Sequence, residues 1–239
     1  MALKRKLSTS AGSVEAARPE FHQAGGGANP TPALHSVRVT PIPFNVAKGV
    51  LVKHHYLHSM PGGTQVCLGA FVEDRLHGVL TLGVGPTNAH RLVESAERSD
   101  CVTLTRLWLS VELPKNSESR VLGIALRGLR TATSLKFVLT YADPDAEHVG
   151  TIDQATNWTY IGESLAMPLL DLGDGVPRQT RTVAHSFGTH SVKHFRKHGM
   201  NVKRIPQAAK HRYVYFLDRS WRDRLNVETL PYPKKNVST

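Results

Sequence analysis

The chain has very little cysteine: of its 239 residues only Cys67 and Cys101 carry a thiol, and both lie inside apolar, strand-like runs. Thiols placed in this way behave as small hydrophobes, which excludes a disulfide framework or a thiolate metal cluster and fits a reducing cytoplasm. No run of about 18 or more apolar residues occurs, so no membrane-spanning helix and no membrane partner are expected. The opening "MALKRKLSTS" has basic residues but neither the apolar stretch nor the cleavage site of a secretory signal. Acidic residues are scarce in one region. Residues 178–239 hold 14 Lys and Arg against 3 Asp and Glu, whereas residues 1–177 hold 16 of each. The whole excess behind the net charge of +11 therefore lies in the last quarter, which points to a polyanionic partner.

Apolar content is too low in residues 1–34, rich in Gly, Ala, Ser and Pro ("STSAGS", "AGGGANPTPA"), to offset the entropy of ordering them. A flexible N-terminal arm is expected there. A catalytic-sized domain is expected over 35–217, with the basic stretch 178–217 completing its sheet, followed by a basic tail over 218–239 in which "PYPKK" is unstructured. No internal repeat is visible.

After a short extended segment, "HSVRVTPIPF", Val46, Val50, Leu51 and Leu57 recur at helical spacing, with Asn45 as the expected N-cap. "TQVCLGAFVEDRLHGVLTLGVG" reads as two strands joined at Glu73-Asp74-Arg75, and "DCVTLTRLWLS" as a third, so an antiparallel meander is expected. Val121, Leu122, Ala125, Leu126 and Leu129 form the apolar stripe of a second helix, with Asn116, Ser117 or Ser119 available as N-cap. "LKFVLTYADPD" is a buried strand ending at Asp143-Pro144, "GTIDQATNW" a short helix and "TYIGES" a strand. The basic region adds a helix closed by Gly199 and the alternating strand "HRYVYFL".

Several residues carry chemistry. "HHYLH" sets three imidazoles and a phenol within five positions; His54 and His58, at i and i+4 on one helix face, are the pair that spacing favours, while His55 points elsewhere. Arg106 interrupts an apolar strand, and an arginine facing a core must find an anion, either a structural carboxylate such as Glu118 or a substrate. Asp143 follows a buried strand, where it serves as a turn former or as a ligand-binding group beyond a carboxyl end. Ser117 and Ser119 can cap the helix or present hydroxyls to an anion at its positive end. Asp153, Gln154 and Asn157 could read a base edge, whereas Trp158 reads as core.

The order helix, three strands, helix, strand resembles the GNAT acyltransferase fold, an α/β (α+β) architecture with a mixed sheet, an antiparallel meander and flanking helices. In it two neighbouring parallel strands splay apart, here Val102 to Ser110 and Phe137 to Ala142. The family's Gln/Arg-x-x-Gly-x-Gly/Ala phosphate loop is absent; the segment reads Asn116-Ser117-Glu118-Ser119-Arg120-Val121-Leu122-Gly123, which argues against acetyl-CoA as donor. A narrower resemblance covers roughly residues 38 to 235. "HYLH", "LTRLWL", "LPKNSESRVLG", "YADPDAEHVGTIDQATNW" and "KHRYVYFL", in that order, resemble the Mom family of bacteriophage DNA-modification proteins. These are GNAT-like enzymes that convert adenine in DNA to its N6-carbamoylmethyl derivative.

That resemblance implies a DNA-adenine-modifying transferase with a glycine-derived donor, and an iron site formed by His55, Tyr56 and Asp143. It implies catalytic roles for His55, Tyr56, Arg106, Ser119 and Asp143 and donor binding by Asn116, Ser117 and Ser119. Double-stranded DNA is then the expected partner, gripped by Arg178, Arg181, Lys193, Arg196, Lys197, Lys203, Arg204, Lys210 and Arg212, with Tyr213, Tyr215 and Trp221 as candidate stacking surfaces. The expected location is the host cytoplasm. Two rivals remain: a GNAT-like transferase acting on a hypermodified thymine or a small amine, and a non-catalytic DNA-binding protein.

Overall fold

The computed structural model describes residues 37–234, so the arm expected over 1–34 lies outside the described residues. Seven strands form the main sheet in the order β1-β2-β3-β4-β5-β10-β6: β1 (Arg38–Pro41), β2 (Thr64–Val72), β3 (Arg75–Gly83), β4 (Cys101–Leu109), β5 (Phe137–Ala142), β6 (Thr159–Glu163) and β10 (His211–Phe216). Strands β2, β3 and β4 are the antiparallel meander read from the sequence, and Glu73 and Asp74 turn the hairpin with φ of 48° and 63°. Helix α1 (Phe44–His54) packs Ala47, Val50 and Leu51 against Cys67 and Val79 on one face. Helix α2 (Ser117–Ala132) buries Val121, Leu122, Ala125, Leu126 and Leu129 on the other, against Leu80, Leu82 and Val138. The apolar stripes on the two helices thus cover opposite sides of the meander.

Strands β4 and β5 are parallel, but they pair only at Cys101–Phe137, Val102–Val138 and Thr103–Leu139. Beyond Thr103 they diverge, as expected of the splayed pair. The cause is local. Strand β4 carries an irregularity opposite Thr81 and Leu82, where Thr81 faces Arg106 and Leu82 faces Leu104, leaving Thr105 as the extra residue. Thr105 Oγ1 donates to the Thr81 carbonyl at 3.0 Å and shares a 2.9 Å hydrogen bond with Thr81 Oγ1, which fixes the bulge. A bulge shifts the phase of a strand by one residue. Val102 and Leu104 face α2 before it, and Leu107 and Leu109 do so after it.

Three expectations are corrected. Pro43, not Asn45, is the N-cap residue of α1, and α1 ends at His54, so His58, at φ 44°, lies in a turn and shares no helix face with His54. Residues 178–217 do not all complete the main sheet: only β10 does. The rest, with Leu169–Asp171, builds a second sheet, β8-β7-β9 (Arg178–Gln179, Leu169–Asp171, Lys203–Ile205), under two short helices (Thr180–Phe187 and Val192–Lys197), around Leu170, Val183, Phe195 and Val202. This unit is an insertion between β6 and β10. Finally, the tail from 218 is integrated as far as it is described. Trp221, Leu225 and Val227 pack on Phe137, Leu139 and Val214. Leu230 N–H donates to the Tyr160 carbonyl at 3.0 Å, and Tyr232 Oη donates to the Trp158 carbonyl at 2.7 Å. The tail therefore covers the outer edge of β6, which would otherwise offer unpaired backbone groups to another chain. Tyr232→Phe removes one such bond and is expected to cost about 1 kcal/mol, read as a fall in Tm of about 2–4 °C.

Candidate active site

The phase shift at Thr105 turns Arg106 away from the α2 core toward the face that carries α1. There the C-terminal end of α1 meets β4: the His54 ring stacks on Trp108 with centroids 4.9 Å apart, and His55 and Tyr56 follow immediately. The His55 ring stacks on Tyr56 at 4.5 Å, and Tyr56 stacks in turn on His148 at 5.7 Å. His148 is brought there by the loop after β5, where its N–H donates to the Asp143 carbonyl at 3.0 Å. His55, Tyr56, Arg106 and Asp143 are therefore gathered at the open end of the β4–β5 splay. His148 belongs to the cluster too, although sequence reasoning gave it no role within the quoted stretch "YADPDAEHVG".

His55 is buried, and burial, followed by the Arg106 guanidinium and the His148 and His58 rings, lowers its pKa to about 4. Its Nδ1 accepts the Leu57 N–H at 3.1 Å. The neutral ring therefore carries its proton on Nε2 and offers a donor. Tyr56 is half exposed; burial and the neighbouring Asp143 raise the pKa of its hydroxyl, while Arg106 opposes this. Arg106 donates from Nη1 to the Thr105 carbonyl at 2.7 Å, but its Nε is buried without a partner, and no carboxylate among the described residues pairs with it, Glu118 included. A buried guanidinium edge with no acceptor carries a desolvation cost that no hydrogen bond offsets.

The Asp143 carboxylate pairs with Lys210 Nζ and accepts the Asp145 N–H at 3.2 Å. As arranged, the set does not fit an iron ion. The His55 nitrogen that lacks a proton is already occupied by the Leu57 N–H, and the Asp143 carboxylate is held by Lys210. Asn116 adopts a left-handed conformation (φ 68°) before α2 with no side-chain cap bond. Ser117 Oγ donates to the Pro114 carbonyl and Ser119 Oγ to the Asn116 carbonyl. Both hydroxyls thus tighten the entry turn.

The expected DNA-facing cations divide into two groups. Arg181, Lys193, Arg196, Lys197, Lys203 and Arg204 are exposed on or beside the inserted unit, with Arg181 and Arg196 also donating to the Gly85 and Val202 carbonyls at 3.2 Å each. Arg178 is paired with Asp174, Lys210 with Asp143, and Arg212 donates from Nη2 to the Ile161 carbonyl at 2.9 Å, so these three serve the fold or the site. Tyr213 is buried with its hydroxyl bonded to the Val149 carbonyl, Tyr215 packs against Trp158, and Trp221 lies between Lys136 and Arg224. Gln154 Nε2 shares its two protons among the Val149 and Pro233 carbonyls and Tyr213 Oη, all within 3.2 Å. Asp153 is buried, and that burial pushes its pKa up to about 7. Neither residue faces the splay cluster through these contacts.

Because the pKa of His55 in the folded protein lies below that of a free imidazole, near 6.5, the unfolded chain binds more protons between the two values. The stabilising contribution of neutral His55 is therefore complete above about pH 6.5 and is lost as pH falls through about 4. Imidazole NMR titration is expected to give the low midpoint for His55, and His55→Gln is expected to flatten the stability profile across that window.

The model of the Mom protein family matches residues 36–234. The methylcarbamoylase mom of Escherichia phage Mu is 29% identical over 212 residues, covering 83% of this chain and 84% of that protein. Solved structures that this chain is similar to include the ribosomal-protein-S5-alanine acetyltransferase of Vibrio fischeri (10% identity, TM-score 0.45, 78% of this chain and 95% of that one). Another is the RimL ribosomal L7/L12 α-N-protein acetyltransferase (8% identity, TM-score 0.43, 76% and 94%). The chain belongs to the Mom protein family.

Proposed function

We propose that this transferase attaches a glycine-derived carbamoylmethyl group to N6 of adenine in double-stranded phage DNA, in the host cytoplasm, and so shields that DNA from restriction. The observation that carries this reading is the convergence of His55, Tyr56, Arg106 and Asp143 at the mouth of the β4–β5 splay, in a chain whose inserted unit exposes Lys193, Lys197, Lys203 and Arg204. The named methylcarbamoylase of phage Mu supports the same group transfer.

Adenine N6 is a weak nucleophile because its lone pair is delocalised into the ring. During the transfer the N6–carbon bond forms, the donor's bond to its leaving group breaks with its electron pair, and N6 gives up one proton. His55, neutral at pH 7 with its proton on Nε2, positions by donating a hydrogen bond and does not take that proton. Proton removal falls to the side formed by Tyr56 and the Asp143 carboxylate, with Lys210 holding the carboxylate in place. Arg106, whose guanidinium lies beside His55 and Tyr56, binds the carbonyl oxygen or the leaving group of the donor, where charge develops. Backbone amides in the first turn of α2 lie beyond the end of β4 and favour an anionic part of the donor. N6 lies within the base stack of a duplex, so the base must be extruded, which costs a few kcal/mol that the cationic grip offsets.

The deciding experiment is mass analysis of nucleosides from DNA of cells expressing the protein. An adenine derivative heavier by the carbamoylmethyl group is expected, whereas a new thymine derivative, or none, would contradict the reading. His55→Ala and Arg106→Ala are each expected to lower the yield about 100-fold or more. Reversing Lys193, Lys197, Lys203 and Arg204 to Glu is expected to weaken duplex binding and to reduce the slope of log affinity against log salt by about 0.9 for each phosphate no longer neutralised.

A further inference from the structure

The linker from β6 into the inserted unit exposes three apolar residues in succession, Leu165-Ala166-Met167, with Leu165 88% and Met167 52% accessible. Single exposed leucines are common on protein surfaces and require no explanation. A run of them is different, and this one is held at a particular place. Ser164 N–H donates to the Lys210 carbonyl at 2.8 Å, and Lys210 N–H donates to Ser164 Oγ at 3.0 Å. Lys210 Nζ pairs with Asp143, and the Asp143 carbonyl accepts the His148 N–H beside Tyr56. Strand β6 runs parallel to β5, since both are antiparallel to β10, so its carboxyl end opens at the same end of the sheet as the splay cluster. On the far side the linker enters the unit that carries exposed Lys193, Lys197, Lys203 and Arg204. The apolar run therefore stands between the site that must receive a base and the surface suited to hold phosphates.

An enzyme that draws a base out of a duplex leaves a gap in the stack, and proteins that unstack base steps commonly fill it with an apolar side chain such as Leu or Met. We infer that Leu165 and Met167 form the wedge that enters the duplex and occupies the space vacated by the target base. The occupant of this surface is the interior of the DNA base stack; a second protein would bring no need for adjoining cations. Pro168 closes the run and restricts the linker, so the two side chains are presented without much loss of freedom on insertion. The inference rests on the DNA-modifying reading above, and the roles are separable: the wedge opens the helix and the splay cluster acts on the base once it is out.

The test uses the full chain, with extract from cells lacking it as source of the donor, and two DNAs of identical sequence, a double-stranded plasmid and the corresponding single-stranded circle. Modified nucleoside is measured by mass analysis. The double variant Leu165→Ser, Met167→Ser is expected to lower plasmid modification at least about tenfold while leaving the circle modified at the wild-type level, because a base in open DNA needs no extrusion. Leu165→Phe with Met167 intact is expected to retain plasmid modification. Both positions are exposed, so thermal unfolding of the variants is expected to match the wild type. If the double variant modified the plasmid as well as the wild type, or lost activity on plasmid and circle equally, the wedge would be overturned while the DNA reading stood. If the wild type modified neither DNA, the reading would fail and the wedge with it.

Discussion

The site depends on one extra residue in strand β4. Without the bulge at Thr105, strand alternation would carry Arg106 to the same face as Val102 and Leu104, where it would be driven into the apolar layer beneath α2. With the bulge, the guanidinium reaches the opposite face, beside His55 and Tyr56, and the strand leaves β5 after only three paired residues. Orientation of the cation and opening of the sheet thus lie in one short segment, clasped by the two hydroxyls of Thr81 and Thr105. Burial then sets the chemistry of what gathers there: it keeps the His55 ring neutral, raises the pKa of the Tyr56 hydroxyl and leaves the Arg106 Nε without an acceptor.

Around that opening the chain divides its labour by charge. The seven-stranded sheet is assembled mainly from a stretch with balanced charge, and the surplus of cations enters late, partly in the insertion between β6 and β10. Strand β10 lies between β5 and β6, so the body is complete only after the insertion has been traversed. Not every cation in that stretch is available to a partner. Arg178, Lys210 and Arg212 are committed to Asp174, Asp143 and the Ile161 carbonyl.

Much of the body was legible because its signals are local. Alternation marked β2 to β4, the stripe from Val121 to Leu129 marked α2, and Asp143-Pro144 marked the end of β5. The second sheet was not legible, because its strands have only two or three residues and no pattern that short can be distinguished from a loop. The bulge was invisible for a related reason: "TLTRLWL" reads equally well in either phase. For the site, family likeness named His55, Tyr56, Arg106 and Asp143, and the fold brings them together. Spacing alone favoured His54 and His58, which diverge because the helix stops between them. His148 escaped notice because it follows the strand by a left-handed turn at Glu147, and such a turn carries a side chain back over a neighbour without any periodic trace.

The chain leaves the sheet at Ser164 and returns at Lys210, and those two residues are hydrogen-bonded to each other in both directions. Such a closed seam means that everything grafted between them can grow, shrink or be exchanged without altering the register of the strands on either side. Preference for one nucleic-acid context over another can therefore drift in the module beyond the seam while the reaction chamber keeps its shape.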